Sequence, residues 1–432
     1  HLLERTEAEV RRRIEGWPDG TYRTVAFADH TGAGPALVRI PLEIEKRGGS
    51  LTVRTPGAPA AMPRAINAME HITKATFGTA FMNRIFPEIP RNGGFVSGLD
   101  FELQPGTMLT ASRHHATSLS VLPLFYLYPE ISVLLPKLVF AEGSKVMAPS
   151  GAFPTAPVYA GLTQHFLRVA NIDPTGNSMG SGAHPDRDGE HAAGAWFAPM
   201  SDWGELENIE TEVPLLTLWR KLAIDNHGFG RQRGGAGPEW AHMCYGSDFF
   251  MLLMVSSGSR FPMNSGLFGG YASPCLPLTI VRPEGGIEAV RSALADSATT
   301  LPRDAGAIVS EQPIKGTYEV REPMKYAEPV PQGEIWIGRL GGGGGYGDPL
   351  ERDPDAVAAD HRQGLISDPV LSQVYAVVLD GDVVDRAATD EARTAARQAR
   401  LERGRPYHEF VASWRRDAPP EGIEFFGTWE WS

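Results

Sequence analysis

Apolar residues first recur at helical spacing. Leu3, Val10 and Ile14 share one face among Arg11, Arg12, Arg13 and Glu15, and Gly16-Trp17-Pro18 closes the segment. The pattern then becomes strand-like. Residues 21–28, 36–45 and 50–55, separated by turns at 29–35 and Gly48-Gly49, predict an antiparallel meander. A helical run follows over 63–86, with Ile66, Met69, Ile72, Phe77 and Phe81 apolar and Pro87 and Pro90 closing it. Residues 95–103 read as a strand entering the Pro105-Gly106 turn.

Residues 119–170 mix apolar and Pro-rich pieces suited to a buried interface, and 171–212 form a long Gly, Asp and His-rich excursion. A loop of that length is more often functional than idle. Residues 213–224 and 248–257 read as buried strands, 275–340 as β-like, 351–375 and 389–403 as helices, and 374–379 as a short strand between them. These patterns predict an α+β, β-rich mixed fold with Gly- and Pro-rich loops and a helical C-terminal segment. The expected division is 1–118 (meander plus helix), 119–275 (central core), 276–350 (β-rich, ending in a Gly-rich loop) and 351–432 (helical). The tail, with Trp414, Phe425, Phe426, Trp429 and Trp431, is aromatic enough to predict docking.

Composition narrows the functional classes. A net charge of −12 argues against nucleic acid or an acidic membrane as the main partner. The 48 Gly and 35 Pro favour β-structure with many turns over a helical bundle. The most apolar stretch, Leu119 to Phe140, is interrupted by Pro123, Pro129, Glu130, Pro136 and Lys137, so no membrane span is expected. Two cysteines, Cys244 and Cys275, cannot form a metal cluster and suit reduced thiols of a cytoplasmic protein. There is no signal-peptide pattern. The chain opens with His1 inside a helix-like pattern rather than with Met, which suggests part of a longer polypeptide.

The densest local feature is Gly341-Gly342-Gly343-Gly344-Gly345-Tyr346-Gly347-Asp348-Pro349, in which six of the first seven residues lack a Cβ. Such a run can take positive φ and lie close against another surface, or it can be a flexible linker. The flanking Trp336 and Tyr346 favour the packed crossing. No Gly-Lys-Ser/Thr follows, so it is not a phosphate loop.

Three constellations carry candidate chemistry. His184-Pro185-Asp186-Arg187-Asp188-Gly189-Glu190-His191 sets two imidazoles and three carboxylates within eight residues. That density suits acid–base work at His184 and Asp188, a metal, or an ordinary solvated turn. Asp225-Asn226-His227, with Arg231 and Arg233 among glycines, suits an oxyanion or carboxylate grip, since guanidinium forks bind oxyanions bidentately. The alternative is an internal Arg–Asp pair holding a glycine turn. His227 is either a general base or a histidine satisfied by backbone carbonyls. Arg113-His114-His115 reads as strand, so its histidines point to opposite faces and His114 alone could face a cavity. Asp29-His30 is a weaker candidate in a short turn. No serine-hydrolase elbow, dinucleotide fingerprint or zinc spacing occurs.

Taken in order, several stretches resemble the B subunit of the hydantoinase and 5-oxoprolinase family, which includes acetone and acetophenone carboxylase subunits. They are Ala65-Ile66-Asn67, Asn92-Gly93-Gly94-Phe95, Pro105 to Leu109, Asp225 to Gly235, Gly341 to Pro349 and Val374 to Leu379. Asn226 and His227 depart from the family's usual Ser-Gly. Met200 to Glu207, with Glu210 and Glu212, looks closer to the carboxylase branch than to the hydantoin-cleaving one. The resemblance covers only the C-terminal part of a family subunit.

It implies a hetero-oligomer with a hydantoinase A-like ATP-binding subunit, the N-terminal part of the same subunit and a possible small third subunit. ATP would act on the partner. A divalent metal, Mn, Mg or Zn, would bind outside this segment. The expected reaction is carboxylation, in which the activated enol of a small ketone meets bicarbonate-derived CO2. A cyclic amidase and a non-catalytic scaffold are the alternatives.

Overall fold

The computed structural model describes residues 1–150, 156–172, 178–195, 198–199, 204–255, 258–295, 302, 304–321, 325–414 and 418–429. Met200 to Trp203 and Trp431, singled out above, lie outside these residues. The fold is α+β.

The N-terminal helix α1 (Leu2–Glu15) buries Thr6, Val10 and Ile14 along one stripe. The meander follows as β1 (Gly20–His30), β2 (Pro35–Arg47) and β3 (Ser50–Arg54), antiparallel throughout. After α2 (Glu70–Arg84) the expected strand at 95–103 is largely absent. Asn92 accepts a hydrogen bond from the Gly94 amide and starts a short helix, α3 (Gly93–Ser97), leaving only β4 (Asp100–Glu102) extended and paired parallel to β3. An Asx cap three residues before an apolar pair outweighs β propensity there.

Next comes α4 (Val121–Leu138), which contains Pro129 and Pro136. Those prolines do not end it. Phe125, Leu127, Tyr128, Ile131, Leu134, Leu135 and Leu138 are all buried, and burial on that scale outweighs two missing ladder bonds. No helix among the described residues is long and apolar enough to cross a membrane.

Two further sheets complete the core. One pairs β5 (Ala156–Leu162) and β6 (Arg168–Ile172) with β11 (Phe249–Val255) and β14 (Lys325–Pro331), in the order β14-β11-β5-β6. The other has the order β13-β12-β15-β10-β9, built from β9 (Leu215–Leu222), β10 (Pro238–Cys244), β12 (Leu278–Pro283), β13 (Gly316–Arg321) and β15 (Ile335–Arg339). Every residue of β10 is buried, so it shows no alternation and escapes periodicity analysis. The stretch read as wholly β-like also contains α6 (Ile287–Ala295) and α7 (Ala305–Glu311). The largest apolar cluster runs from Val10 to Leu340 and includes members from α4, β10 and β15.

Beyond the glycine run lie α8 (Pro354–Arg362), α9 (Arg386–Arg403) and α10 (Tyr407–Trp414). The strand expected at 374–379 is not formed. Val370–Val374 is a wide helical turn, Ala376 sits at φ 49, and only Leu379–Asp380 is extended. Tyr375 and Val377 are buried in a local cluster with Val357 and Ile366, against which Val374 and Leu379 also pack, which removes the need for a sheet. The tail docks as expected: Phe425–Phe426 pairs parallel with β2, and Arg39 Nη1 donates to the Thr428 carbonyl at 2.7 Å.

The glycine run is the packed crossing. Gly341–Gly347 are buried, and no glycine from 341 to 345 uses positive φ; only Gly347 does, at 73°. Close approach is therefore the reason for the glycines. A Cβ would lie 2.0 Å from the Asn226 carbonyl oxygen at Gly342, 1.8 Å from that of Ser181 at Gly343, and 2.1 Å from that of Ser265 at Gly344.

Successive amides reach different neighbours. Gly343 donates to Gly235 O, Gly344 to Pro149 O and Gly345 to Tyr271 O; Tyr346 then returns to Gln232 O and Gly347 to Leu267 O. Gly343 and Tyr346 thus reach the same 225–237 segment, while Gly344 turns to Pro149 and Gly345 and Gly347 to the 264–271 segment, so the run's amides are satisfied on several sides.

Gly343→Ala is expected to cost about 3 kcal/mol or more because backbone carbonyls cannot repack. Gly34→Ala, where a Cβ meets nothing within 4 Å, should stay within about 0.5 kcal/mol. Denaturant unfolding of both variants measures the difference.

Candidate functional site

The segments gathered by the glycine run are 178–191, 225–237 and 264–271, so two of the three constellations are brought together. Asp225 takes φ 56, a left-handed position an Asp tolerates. Its Oδ1 accepts from the Ser367 amide at 2.8 Å and its own amide donates to Leu365 O at 2.9 Å, tying the loop to the C-terminal segment.

Asn226 and His227 are fully buried. Asn226 Nδ2 donates to Leu340 O at 2.7 Å, while its Oδ1 has no partner among the described residues. Among those residues neither ring nitrogen of His227 has a hydrogen-bond partner, and the ring stands edge-on to Phe229 at 5.2 Å. Burial, and then the charges of Arg233, His191 and Arg352, hold its pKa well below the usual value. A neutral imidazole of that kind can exchange hydrogen bonds with a small polar guest but is a weak base at pH 7.

The two arginines part company. Arg233 is buried and its donors are taken: Nε meets Asp360 Oδ1 at 3.0 Å, Nη1 the carbonyls of Gly189 and Gly234, and Nη2 faces His191 Nε2 at 3.2 Å. This geometry is the internal Arg–Asp pair that was the alternative to an oxyanion grip. Arg231 is exposed, with Nη2 on Pro185 O at 3.0 Å and its guanidinium 5.8 Å from the Tyr346 ring centroid.

Sequence reasoning missed the other half of this arrangement. Arg352 grips Asp188 through two bonds of 2.6 and 2.7 Å and reaches Asp360 at 2.8 Å. Two buried cations and two carboxylates thus form a neutral clamp that joins residues 188 and 233 to the C-terminal segment. Burial by itself would raise Asp188, but its hydrogen bonds to Arg352 and the charges of Arg352 and Arg233 bring it below its ordinary value. One signal existed: Asp360 lies three residues after Val357 on the buried face of α8, an unusual place for an unpaired carboxylate.

His184 is half-buried, and burial followed by the nearby Arg187 charge lowers its pKa to about 4. His191 Nδ1 accepts from the Ala236 amide at 2.9 Å. Asp188 of this loop is engaged in the clamp and His184 Nε2 faces Arg187 Nη2 at 3.2 Å, and among the described residues no three His, Cys, Asp or Glu side chains converge to hold a metal ion. These residues do not fit a metal centre. His114 lies elsewhere, exposed in a turn rather than on the expected strand, near the segment where Asn67 Nδ2 donates to Ala116 O at 3.0 Å. Asp29 is structural at one oxygen: its Oδ2 accepts from the amides of Ser259 and Arg260 at 2.9 and 3.1 Å.

Residues 1–349, which carry the glycine bundle and the sequence blocks that line it, match the family model described as hydantoinase B/oxoprolinase. The chain belongs to that family. Among curated proteins it is 29% identical to the acetophenone carboxylase delta subunit of Aromatoleum aromaticum over 99% of its own length and 63% of that protein's. Identity is 26% with the acetone carboxylase alpha subunit of Xanthobacter autotrophicus, over 91% of this chain and 53% of that protein. It is 25% with the caprolactamase beta subunit of Pseudomonas jessenii, over 91% of this chain and 63% of that protein.

The chain therefore spans between half and two thirds of these relatives, each of which is named as a subunit. In three dimensions it shares the fold of nucleotide-free acetone carboxylase, from a study of ATP-dependent acetone carboxylation. That match has a TM-score of 0.86 and 23% identity, and covers 94% of this chain and 56% of that one. It likewise shares the fold of the ATP-dependent caprolactamase from P. jessenii, at a TM-score of 0.73 and 22% identity, covering 91% of this chain and 63% of that one.

Arg352→Ala should destabilise the protein by about 3 kcal/mol, since it leaves buried Asp360 and half-buried Asp188 beside a single cation. Arg231→Ala should cost less than about 1 kcal/mol. For Asp188 the sign follows from its lowered pKa. Its contribution is complete above the ordinary value of 3.8 and is lost as pH falls through the lower folded value. Urea titrations at neutral and acid pH read both effects.

Proposed function

We propose that this chain supplies the hydantoinase B-like part of an ATP-dependent ketone carboxylase. The observation that carries this reading is the match to the acetophenone carboxylase delta subunit over 99% of the chain at 29% identity, beside 25% over 91% for the caprolactamase subunit. In this proposal an α-proton leaves a small ketone, a C–C bond forms to CO2 derived from bicarbonate, and a β-keto acid results. ATP, bound by a hydantoinase A-like partner, supplies the driving force. A divalent metal belongs to a part of the assembly outside the described residues.

The contribution of this chain is positional. The glycine bundle and the Arg–Asp clamp make a stiff frame, which suits a reaction that must hold a reactive enolate away from water. Arg231 is the candidate to receive an anion such as bicarbonate, because its guanidinium is exposed and its nearest carboxylate, Glu351, is 4.0 Å away. Asp225, Asn226, His227, His184 and Asp188 serve the frame around it.

A second reading, ATP-dependent opening of a cyclic amide, is favoured by the fold shared with caprolactamase. The test is the complex purified with its copurifying subunits, given ATP with either acetone or acetophenone and labelled bicarbonate, or with caprolactam. Ketone-dependent, ATP-dependent fixation of label is expected. Nucleotide consumption with the lactam and none with ketones would overturn the carboxylase reading. In the same assay Arg231→Ala should lower turnover about tenfold, equivalent to about 1.4 kcal/mol, with assembly intact; unchanged turnover would assign Arg231 to the frame.

A further inference from the structure

A cavity of about 390 Å³ opens between β1, α4 and residues 261–265. Its size falls in the range of small-molecule sites. The walls are apolar, from Val25, Phe27, Val133, Phe261 and Met263, and Glu130 is the single ionisable carboxyl among the lining residues. At the rim Phe27, 39% exposed, stands 6.1 Å from Phe261, so two aromatic rings flank the opening.

Glu130 Oε2 accepts from Thr24 Oγ1 at 2.8 Å. Burial, against the smaller opposing effects of Thr24, Lys137 and Ser265, raises its pKa to about 7. Among the described lining residues there is no lysine or arginine. An anion would thus meet a carboxyl with no cation in the wall, whereas a neutral carbonyl oxygen would find the acid hydrogen of Glu130 in a largely apolar box that also carries the hydroxyls of Thr24, Tyr126 and Ser265.

The cavity is also fastened to the frame. Asp29 holds the start of the 258–265 loop through the Ser259 and Arg260 amides. At the other end Asn264 Nδ2 donates to Gly342 O at 2.7 Å, and the Ser265 carbonyl lies where a Cβ on Gly344 would sit. Whatever fills the cavity touches Met263 and Ser265, directly beside the glycine bundle.

We propose that this cavity binds a small neutral ketone, with the carboxyl of Glu130 donating a hydrogen bond to the ketone oxygen. The choice of a ketone rests on the carboxylase reading above; the demand for a neutral, largely apolar acceptor comes from the walls themselves. The charges on the surrounding elements are few. Lys137 on α4 donates to Arg23 O at 3.4 Å, Arg23 on β1 pairs with Glu43 at 2.7 Å, and at the loop's start Asp29 accepts from the backbone amide of Arg260. Binding follows protonation of Glu130, so affinity falls as pH rises through its pKa.

The test uses the assembled protein and 4-fluoroacetophenone followed by fluorine NMR. Binding at about pH 6 should weaken roughly tenfold by about pH 8. Glu130→Gln keeps a donor and should bind with no such pH dependence, while Met263→Trp, which fills the cavity, should abolish binding. Affinity that is flat or rising with pH in the unaltered protein would overturn the proposal, and so would tighter binding of 4-fluorobenzylamine. The unaltered protein decides even where a variant fails to fold. If the ketone binds as described but the assembly carboxylates no ketone, the carboxylase reading fails and the site stands. If ketones are carboxylated while Met263→Trp leaves both binding and turnover unchanged, the site fails alone.

Discussion

The structure depends on backbones approaching more closely than any side chain permits. At Gly342, Gly343, Gly344 and Gly345 a single methyl group would sit within about 2 Å of another segment's backbone. The last three of these residues donate to three different neighbours, Gly235, Pro149 and Tyr271. Close contact and hydrogen-bond completion are one constraint here, because a buried backbone that touches several segments must find its hydrogen-bond partners among them. From it follow the glycines at 180, 182, 189, 228, 234 and 235, each of which meets a backbone at a similar distance.

This constraint sets where charge can be buried. The loops that cross the glycine run carry Asp188 and Arg233 into the interior, where they must be neutralised, and Arg352 and Asp360 complete the set. A balanced quartet adds little net stability over an apolar core of the same volume, but each member is indispensable once the others are present. The polar atoms left over, both nitrogens of His227 and the Oδ1 atoms of Asn226 and Asn264, lie on these same segments. Asparagine and histidine stand where the family resemblance expects Ser and Gly, so the unmatched polarity coincides with the sequence departure.

Much of this was legible in the chain itself. The meander, α1 and α9 follow from strong periodicity, and the glycine run's packed state was foreshadowed by the aromatics flanking it. The failures have separate physical causes. At 92–97 one asparagine side chain captured an amide and redirected an apolar stretch into helix. At 374–379 an apolar run found burial against Val357 and Ile366 without needing a strand partner. β10, buried on both faces, had no period to detect. Arg233 looked like a ligand grip because its partners, 127 residues away at Asp360 and 45 away at Asp188, are invisible to local spacing. Glu130 read only as an interruption in an apolar stretch, and its enclosure beneath Phe27 and Phe261 is a purely tertiary fact.

The family match ends at residue 349, yet half of the buried quartet lies beyond it, at 352 and 360. A ribosome releases Asp188 and Arg233 long before their counterparts emerge. Until then Asp188 and Arg233, 3.8 Å apart, have only each other within the quartet in a crevice of bare backbone. Completion of the interior becomes a later event in biosynthesis, and the segment from Arg352 to Asp360 is the latch that decides when the frame is finished.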